Sequence, residues 1–367
     1  MTLTILADDL TGACDSGTLF AGKGPVAVTI WPRTAPDADV RVVDTESRRL
    51  GPTAAAARVR EAVTSPEGRW FKKIDSTLRG PIGAEVEALM HAIRAPGAVV
   101  CPAFPAQGRT VRDRELLVDG RPVAQTAIAA DPAFPIPSST RAGAASSVVE
   151  LLRPQLDSPV AWIPIDQVRA GAAALADRLA RLSGTVAVAD AETDDDLATI
   201  VEAALEREPS TLLAGAAGLA APLAQRLGLL ADPPAMPRAP RWLVVVGSRH
   251  PASRHQAELA RRAGLRVLVT PGNEGDEVAA SAALAREARV LLNVERFDLV
   301  AVTGGDTALA LMEAIGAERI ELVGAPRAGL ALGRLRATAC PDIHLLTKAG
   351  GFGAPDLFVS LAREAAA

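Results

Sequence analysis

Short apolar runs alternate along the chain with longer stretches of helical character. TLTILAD, VAVTIW, VRVVD, RWFKKID, AVVCPAF, VAWIPI and TVAVAD occupy the first two-thirds. Runs of this length, bounded by charged or turn residues, read as buried strands, and strand–helix alternation implies a mostly parallel sheet. The Ala-rich segment 170–208, with Asp, Glu and Arg interspersed, reads as amphipathic helices packed on such a sheet. One stretch breaks the rhythm: in LLVDGRPVAQT at 116–126, Asp119-Gly120 between two extended runs predicts a β-hairpin. Further on, LLADPPAMPRAPRW carries Pro233, Pro234, Pro237 and Pro240, which interrupt any helix and make a semi-rigid connector. A fresh series follows it: RWLVVVGS, RVLVT, VLLN, FDLVAVTGGDT, IELVGA and DIHLLTKAGGFG. The pattern therefore predicts two α/β domains, 1–232 and 241–367, joined by a linker at 233–240. Each is expected to hold a mostly parallel sheet flanked by helices, with the hairpin inserted in the first.

Composition narrows the class. The chain has 367 residues, enough for two domains of ordinary size, and 49% of them are hydrophobic against 22% charged, which excludes a largely disordered chain. Aromatic residues make up only 3% and Tyr is absent, so the cores are built from Ala, Val, Leu and Ile, the usual filling of helix-covered parallel sheets. A formal net charge of -4 offers no general attraction for a polyanion. Nucleic acid and acidic membranes are thus not expected as partners, and an anion would need a local site. The three cysteines, Cys14, Cys101 and Cys340, are widely spaced and odd in number. They suggest no disulfide framework and a reducing compartment. The N-terminus has no basic leader followed by an apolar core, and a cytoplasmic protein is expected.

Candidate chemistry sits where the apolar runs end. Ligands of open α/β sheets bind at the carboxyl ends of strands. Asp8-Asp9-Leu10-Thr11-Gly12 follows TLTILA, and its paired carboxylates suit hydroxyl binding, Mg²⁺ or proton removal; the plainer reading is a capped helix start. Lys72-Lys73-Ile74-Asp75-Ser76-Thr77-Leu78-Arg79-Gly80 ends a second strand. There Arg79 and Lys73 can clamp a carboxylate while Ser76 and Thr77 bond to hydroxyls. Thr45-Glu46-Ser47-Arg48-Arg49 ends a third, with Arg48 as a carboxylate receptor, and Gln107 and Arg109 end another beside the hairpin.

In the second half, Thr303-Gly304-Gly305-Asp306-Thr307 joins a strand to a helix, the arrangement of a phosphate cradle: glycine amides approach closely and the helix dipole favours negative charge. Gly247-Ser248 and Gly350-Gly351-Phe352-Gly353 repeat the strand-to-glycine turn, so three such turns at one sheet edge point to a nucleotide pocket. Gly17 to Gly24 nearly spells a Walker A loop but lacks the closing Ser or Thr, and no GxGxxG follows a strand. The four histidines are scattered and predict no zinc site.

Together, ILADDLTGACDSG, KKIDSTLRGPIG, CPAFPAQGRT with its hairpin VDGRPVAQT, VVVGS, TGGDTALA and KAGGFGAPD resemble the four-carbon acid sugar kinase family, in order and over almost the whole chain. The resemblance implies an amino-terminal domain that binds a four-carbon sugar acid, a carboxyl-terminal domain that binds ATP, and Mg²⁺-dependent phosphorylation of the terminal 4-hydroxyl. It places the acid at Asp8 or Asp9, Arg48, Lys73, Asp75, Ser76, Thr77 and Arg79. It places ATP at Ser248, at Gly304, Gly305, Asp306 and Thr307, and at Gly350, Gly351, Phe352 and Gly353. An aspartate among Asp8, Asp9 and Asp75 is expected to take the proton. KIDSTLRG is similar to the D-threonate and D-erythronate branch; a 3-oxo-tetronate kinase, or a non-catalytic sensor on the same fold, is the alternative. A homodimer is a further expectation.

Overall fold

Among the described residues seventeen strands order the fold. In chain order they are β1 (Leu3–Ala7), β2 (Val26–Ile30), β3 (Val40–Asp44), β4 (Arg69–Lys73), β5 (Ala98–Cys101), β6 (Arg109–Arg112), β7 (Glu115–Val118), β8 (Arg121–Pro122), β9 (Val160–Ile163), β10 (Val186–Ala189), β11 (Leu212–Gly215), β12 (Trp242–Val246), β13 (Arg266–Val269), β14 (Leu299–Thr303), β15 (Ala317–Gly324), β16 (Leu330–Ala337) and β17 (His344–Lys348). The computed structural model describes residues 2–33, 36–139, 141, 143–206, 209–271, 276–337, 343–350 and 353–366.

Two units form, Met1–Ser16 with Asp39–Leu230, and Gly17–Ala38 with Ala231–Ala367. The first unit is therefore not the continuous stretch expected from the sequence. Residues 17–38 join the second unit because β2 pairs antiparallel with β15, Ile320 against Val28 and Leu322 against Val26. The proline-rich segment likewise joins the second unit: Ala239 is buried, its N–H donates to Ala365 O at 2.8 Å, and its carbonyl accepts from Trp242 Nε1 at 2.7 Å.

The first unit holds seven strands in the order β3-β1-β4-β11-β5-β10-β9, all parallel. Every residue of β1, β5, β10 and β11 is buried, as in a sheet covered on both faces. β11 (LLAG) is too short a run to stand out in the sequence. Register levels the carboxyl ends: Ala7 pairs with Asp44, Leu6 with Lys72, Lys73 with Gly215, and Gly215 with Cys101. The predicted hairpin is a three-stranded antiparallel sheet, β6-β7-β8. Asp119 and Gly120 turn at φ 50° and 75°, the left-handed pair that a two-residue hairpin needs. The other turn, Asp113-Arg114, is clamped by Asp190, which accepts from both backbone N–H groups at 3.0 Å and from Trp162 Nε1 at 3.1 Å.

The second unit orders its strands β13-β12-β14-β17-β16-β15-β2. The first four run parallel, and β16, β15 and β2 continue antiparallel, a mixed sheet where a mostly parallel one was expected. LALGRLRA, which forms β16, hides its strand character behind Gly333, Arg334 and Arg336. VLLN, expected as a strand, instead closes the 18-residue helix Glu277–Val294; a short apolar run does not by periodicity distinguish strand from buried helix. Trp242, Val244, Val246, Phe358 and Leu361 fill the core of this unit. Cys14 and Cys101 are buried, and Cys340 lies outside the described residues. Among the described residues no helix is long and apolar enough to cross a membrane.

Candidate functional site

At the levelled edge of the first sheet, β1, β3 and β4 each release a loop that carries charge. Asp9 does cap a helix: its carboxylate accepts from Gly12 N at 3.0 Å and from Thr11 Oγ1 at 2.7 Å, opening the helix Leu10–Thr18. The plain reading, a capped helix start, is therefore met, and the same carboxylate also meets Arg48. Arg48 Nε and Nη2 donate to Asp8 at 2.7 and 3.0 Å, and Nη1 and Nη2 donate to Asp9 at 2.8 and 2.7 Å. Four of five guanidinium N–H groups are so engaged, and Asp75 stands 3.8 Å away. Arg48, expected as a receptor for a substrate carboxylate, is thus directed at the protein's own aspartates.

Arg79 mirrors it on the neighbouring loop. Its Nε and Nη2 donate to Asp75 at 3.0 and 2.9 Å, its backbone N–H donates to the same carboxylate at 3.2 Å, and Nη1 reaches Asp131 at 3.3 Å. Thr77 adds its hydroxyl and its backbone N–H to Asp75. A carboxylate so surrounded stays ionised: burial pushes Asp75 up, but Arg79, then Arg48 and Thr77, hold it well below 3.8. Asp8 follows the same logic, raised by burial and lowered further by Arg48, Lys72 and Lys73 to a net value below 3.8.

Lys73 Nζ donates to Ile74 O at 2.8 Å. A Cβ built on Gly12 would stand 2.9 Å from this ammonium and 2.5 Å from Asp9 Oδ1, so the missing side chain is what lets cation and carboxylate converge. Asp8, Asp9, Arg48, Lys73, Asp75, Thr77 and Arg79 therefore gather at one sheet edge, with Ser76 in the same turn as its neighbours. Gln107 and Arg109 contact each other, Arg109 Nη1 donating to Gln107 O; no described hydrogen bond ties them to this cluster.

Two participants, Asp131 and Glu85, were missed in the sequence, and two more, Lys72 and Ser47, were named in their motifs without a role. Asp131 pairs with Arg79, and Lys72, Glu85 and Ser47 lie beneath the site, all three fully buried. The signal for two of them was present: a lysine inside a strand buried on both faces and a glutamate in the apolar helix IGAEVEALM imply each other. Among the described residues no three His, Cys, Asp or Glu side chains gather as metal ligands.

In the second unit, register again sets the edge, pairing Val246 with Thr303 and Thr303 with Lys348. The three glycine turns start level. A Cβ on Gly247 would lie 1.7 Å from Thr307 Oγ1, and one on Gly350 would lie 2.6 Å from Ser248 Oγ. Gly304, at φ 95°, has Ser248 N and Thr307 Oγ1 nearby and leads into the helix Gly305–Ala314, whose first turn contains Asp306. Ser248, Gly304, Gly305, Asp306, Thr307 and Gly350 are thus brought together. Gly353 packs instead toward Leu357 and Gln256, and Gly351 and Phe352 lie outside the described residues. Lys348, at the end of β17, is buried, which pulls its ammonium down to about 8.

Comparison with known proteins matches two stretches of the chain to two family models. A model of a sugar-binding N-terminal domain covers residues 3–223, and one of a nucleotide-binding C-terminal domain covers 269–358. The D-threonate kinase of Salmonella typhimurium is 32% identical over 96% of this chain and 96% of its own length. The 3-oxo-tetronate kinase of Pseudomonas savastanoi pv. phaseolicola is 27% identical over 99% of this chain and 97% of its own. A solved Salmonella typhimurium structure described as a putative tRNA synthase superposes with a TM-score of 0.79, at 22% identity and over 98% of each chain; that likeness concerns the fold. With one model spanning more than half of the chain and a full-length relative above 30% identity, the chain belongs to the four-carbon acid sugar kinase family.

Proposed function

We propose that the protein is an ATP-dependent kinase that phosphorylates the terminal 4-hydroxyl of a four-carbon sugar acid, D-threonate first and D-erythronate next. The observation that carries this reading is the charge pattern at the edge of the first sheet, where Lys73 and Arg79 stand beside three ionisable aspartates. Two cationic groups suit one carboxylate, and aspartates suit the row of hydroxyls that follows it. The full-length likeness to a D-threonate kinase supports the substrate class.

Phosphoryl transfer to an alcohol requires an in-line γ-phosphate, neutralisation of its oxygens and an acceptor for the hydroxyl proton. Lys73 and the outer face of Arg79 bind the acid's carboxylate. Arg48 holds Asp8 and Asp9 at fixed angles, and these carboxylates accept the sugar hydroxyls. The proton goes to one of Asp8, Asp9 and Asp75. Asp75 is a weak base by its surroundings, because Arg79 and Thr77 already bind its electron pairs. Ser248, Gly304, Gly305, Asp306, Thr307 and Gly350 receive the phosphates of ATP. Mg²⁺ arrives as part of the nucleotide substrate: Asp8 and Asp9 are engaged by Arg48 and do not fit a resident divalent ion.

The test is ADP release with ATP and Mg²⁺ against D-threonate, D-erythronate, L-threonate and 3-oxo-tetronate, with a control lacking acid. Turnover on D-threonate above the others is expected. ATP binding with silence across the panel overturns the kinase reading in favour of a sensor, and preference for 3-oxo-tetronate overturns the substrate assignment.

A further inference from the structure

Beneath the acid site runs a row of buried hydrogen bonds that has too few protons. Lys72 Nζ lies 3.0 Å from Glu85 Oε2, and both side chains are fully buried. The other oxygen, Glu85 Oε1, contacts Ser47 Oγ. Ser47 Oγ lies 2.6 Å from Thr45 Oγ1, and Thr45 Oγ1 lies 2.7 Å from Ala7 O. Three oxygen–oxygen contacts follow one another, while the two hydroxyls own one proton each. If Glu85 is ionised, one buried contact is a pair of lone pairs facing each other. A proton on Glu85 Oε1 satisfies all of them: Glu85 donates to Ser47, Ser47 to Thr45, and Thr45 to the carbonyl of Ala7.

We propose that Glu85 is held as the neutral acid and acts, with Lys72, as a positioning residue that ties the Arg48 loop to β1 from below. The inference rests on the kinase reading only for its effect on turnover. The chain ends where the site begins: Ala7 precedes Asp8, and Asp8 O accepts from Ser47 N at 3.0 Å and from Arg48 N at 3.2 Å. Burial also raises Glu85, the direction that retains the proton. A neutral Glu85 leaves the Lys72 charge uncompensated by its own neighbour and available to Asp8. The charged groups around Asp8 are then Arg48 on the β3 loop, Lys72 and Lys73 on β4 and Asp9 beside it, with the neutral Glu85 on the helix Ile82–Ala92. Asp44, at the end of β3, interacts with Glu46 and Asp9.

Glutamine reproduces the neutral acid, with its carbonyl toward Lys72 and its amide donating to Ser47. Glu85→Leu breaks the row and is expected to raise KM for the acid about tenfold with a smaller effect on kcat, whereas Glu85→Gln rescues KM. Lys72→Met is expected to move the acid limb of kcat/KM to higher pH. Two readouts stand without turnover: the infrared carbonyl stretch of a protonated carboxylic acid, present at neutral pH and absent in Glu85→Gln, and an unfolding midpoint kept by Glu85→Gln. If wild type turns over none of the acids, the kinase reading fails while band and midpoint still decide this one. Absence of the band, or a Glu85→Gln midpoint as low as that of Glu85→Leu, overturns it.

Discussion

The guanidinium of Arg48 meets the carboxylate of Asp8 edge to edge, Nε to Oδ2 at 2.7 Å and Nη2 to Oδ1 at 3.0 Å, with Asp8 only 1% exposed. Loss of the arginine would leave a buried charge without its fork, which costs about 3–5 kcal/mol in such pairs. Arg48→Met is expected to lower the urea midpoint accordingly. Arg48→Lys should rescue little of it, since an ammonium cannot bind two oxygens in parallel. A wild-type midpoint in Arg48→Lys would show that the fork geometry contributes nothing.

Acid should loosen the same edge through Asp75. Its folded value is depressed below 3.8, so the unfolded chain takes up the proton first. The stability this carboxylate contributes is complete above about pH 4 and is lost as pH falls toward the folded value. Denaturant midpoints followed from about pH 6 to pH 2.5 should fall less steeply in Asp75→Asn than in wild type. Parallel curves would refute the assignment.

Much of this edge was legible because strand ends, not whole strands, carry the chemistry. Asp8, Arg48, Lys73 and Arg79 each follow an apolar run, and the parallel register then levels them. What escaped was pairing. Nothing local in TESRR says that Arg48 turns toward Asp8 and Asp9, because that partnership depends on β3 lying beside β1. Glu85 and Lys72 escaped for the same reason, being separated by a loop and joined only when the helix Ile82–Ala92 folds over β4. The destination of residues 17–38 depends on an antiparallel partner, β15, that the chain reaches much later.

Alkaline pH should act oppositely in the second unit. Lys348 falls from 10.5 to about 8 through burial, so between those values the unfolded chain holds more protons than the folded one. Stability should therefore rise with pH across about 8 to 10.5, by at most about 3 kcal/mol at 1.4 kcal/mol per unit. Lys348→Met should flatten that rise in thermal melts. A slope unchanged by the substitution would mean another group titrates there.

Gly247→Ala should separate the two ligands. The added methyl would collide with Thr307, from which an ideal Cβ stands 1.7 Å. Displacing the glycine turn by overpacking costs about 1–3 kcal/mol, so calorimetry should show ATP affinity falling about tenfold or more while affinity for the acid is retained. Equal losses for both ligands would place the defect in folding.

The route of the backbone carries one more consequence. The chain crosses between the units after Ser16, after Ala38 and after Leu230. Three crossings mean that no single proteolytic nick or gene truncation yields two intact halves. A fragment beginning at Ala231 would lack β2 and leave the long β15 as a bare edge, with unpaired amides and carbonyls open to any strand that meets them. During synthesis the order is reversed: β2 leaves the ribosome early and must wait for β15 until nearly the whole polypeptide has followed it.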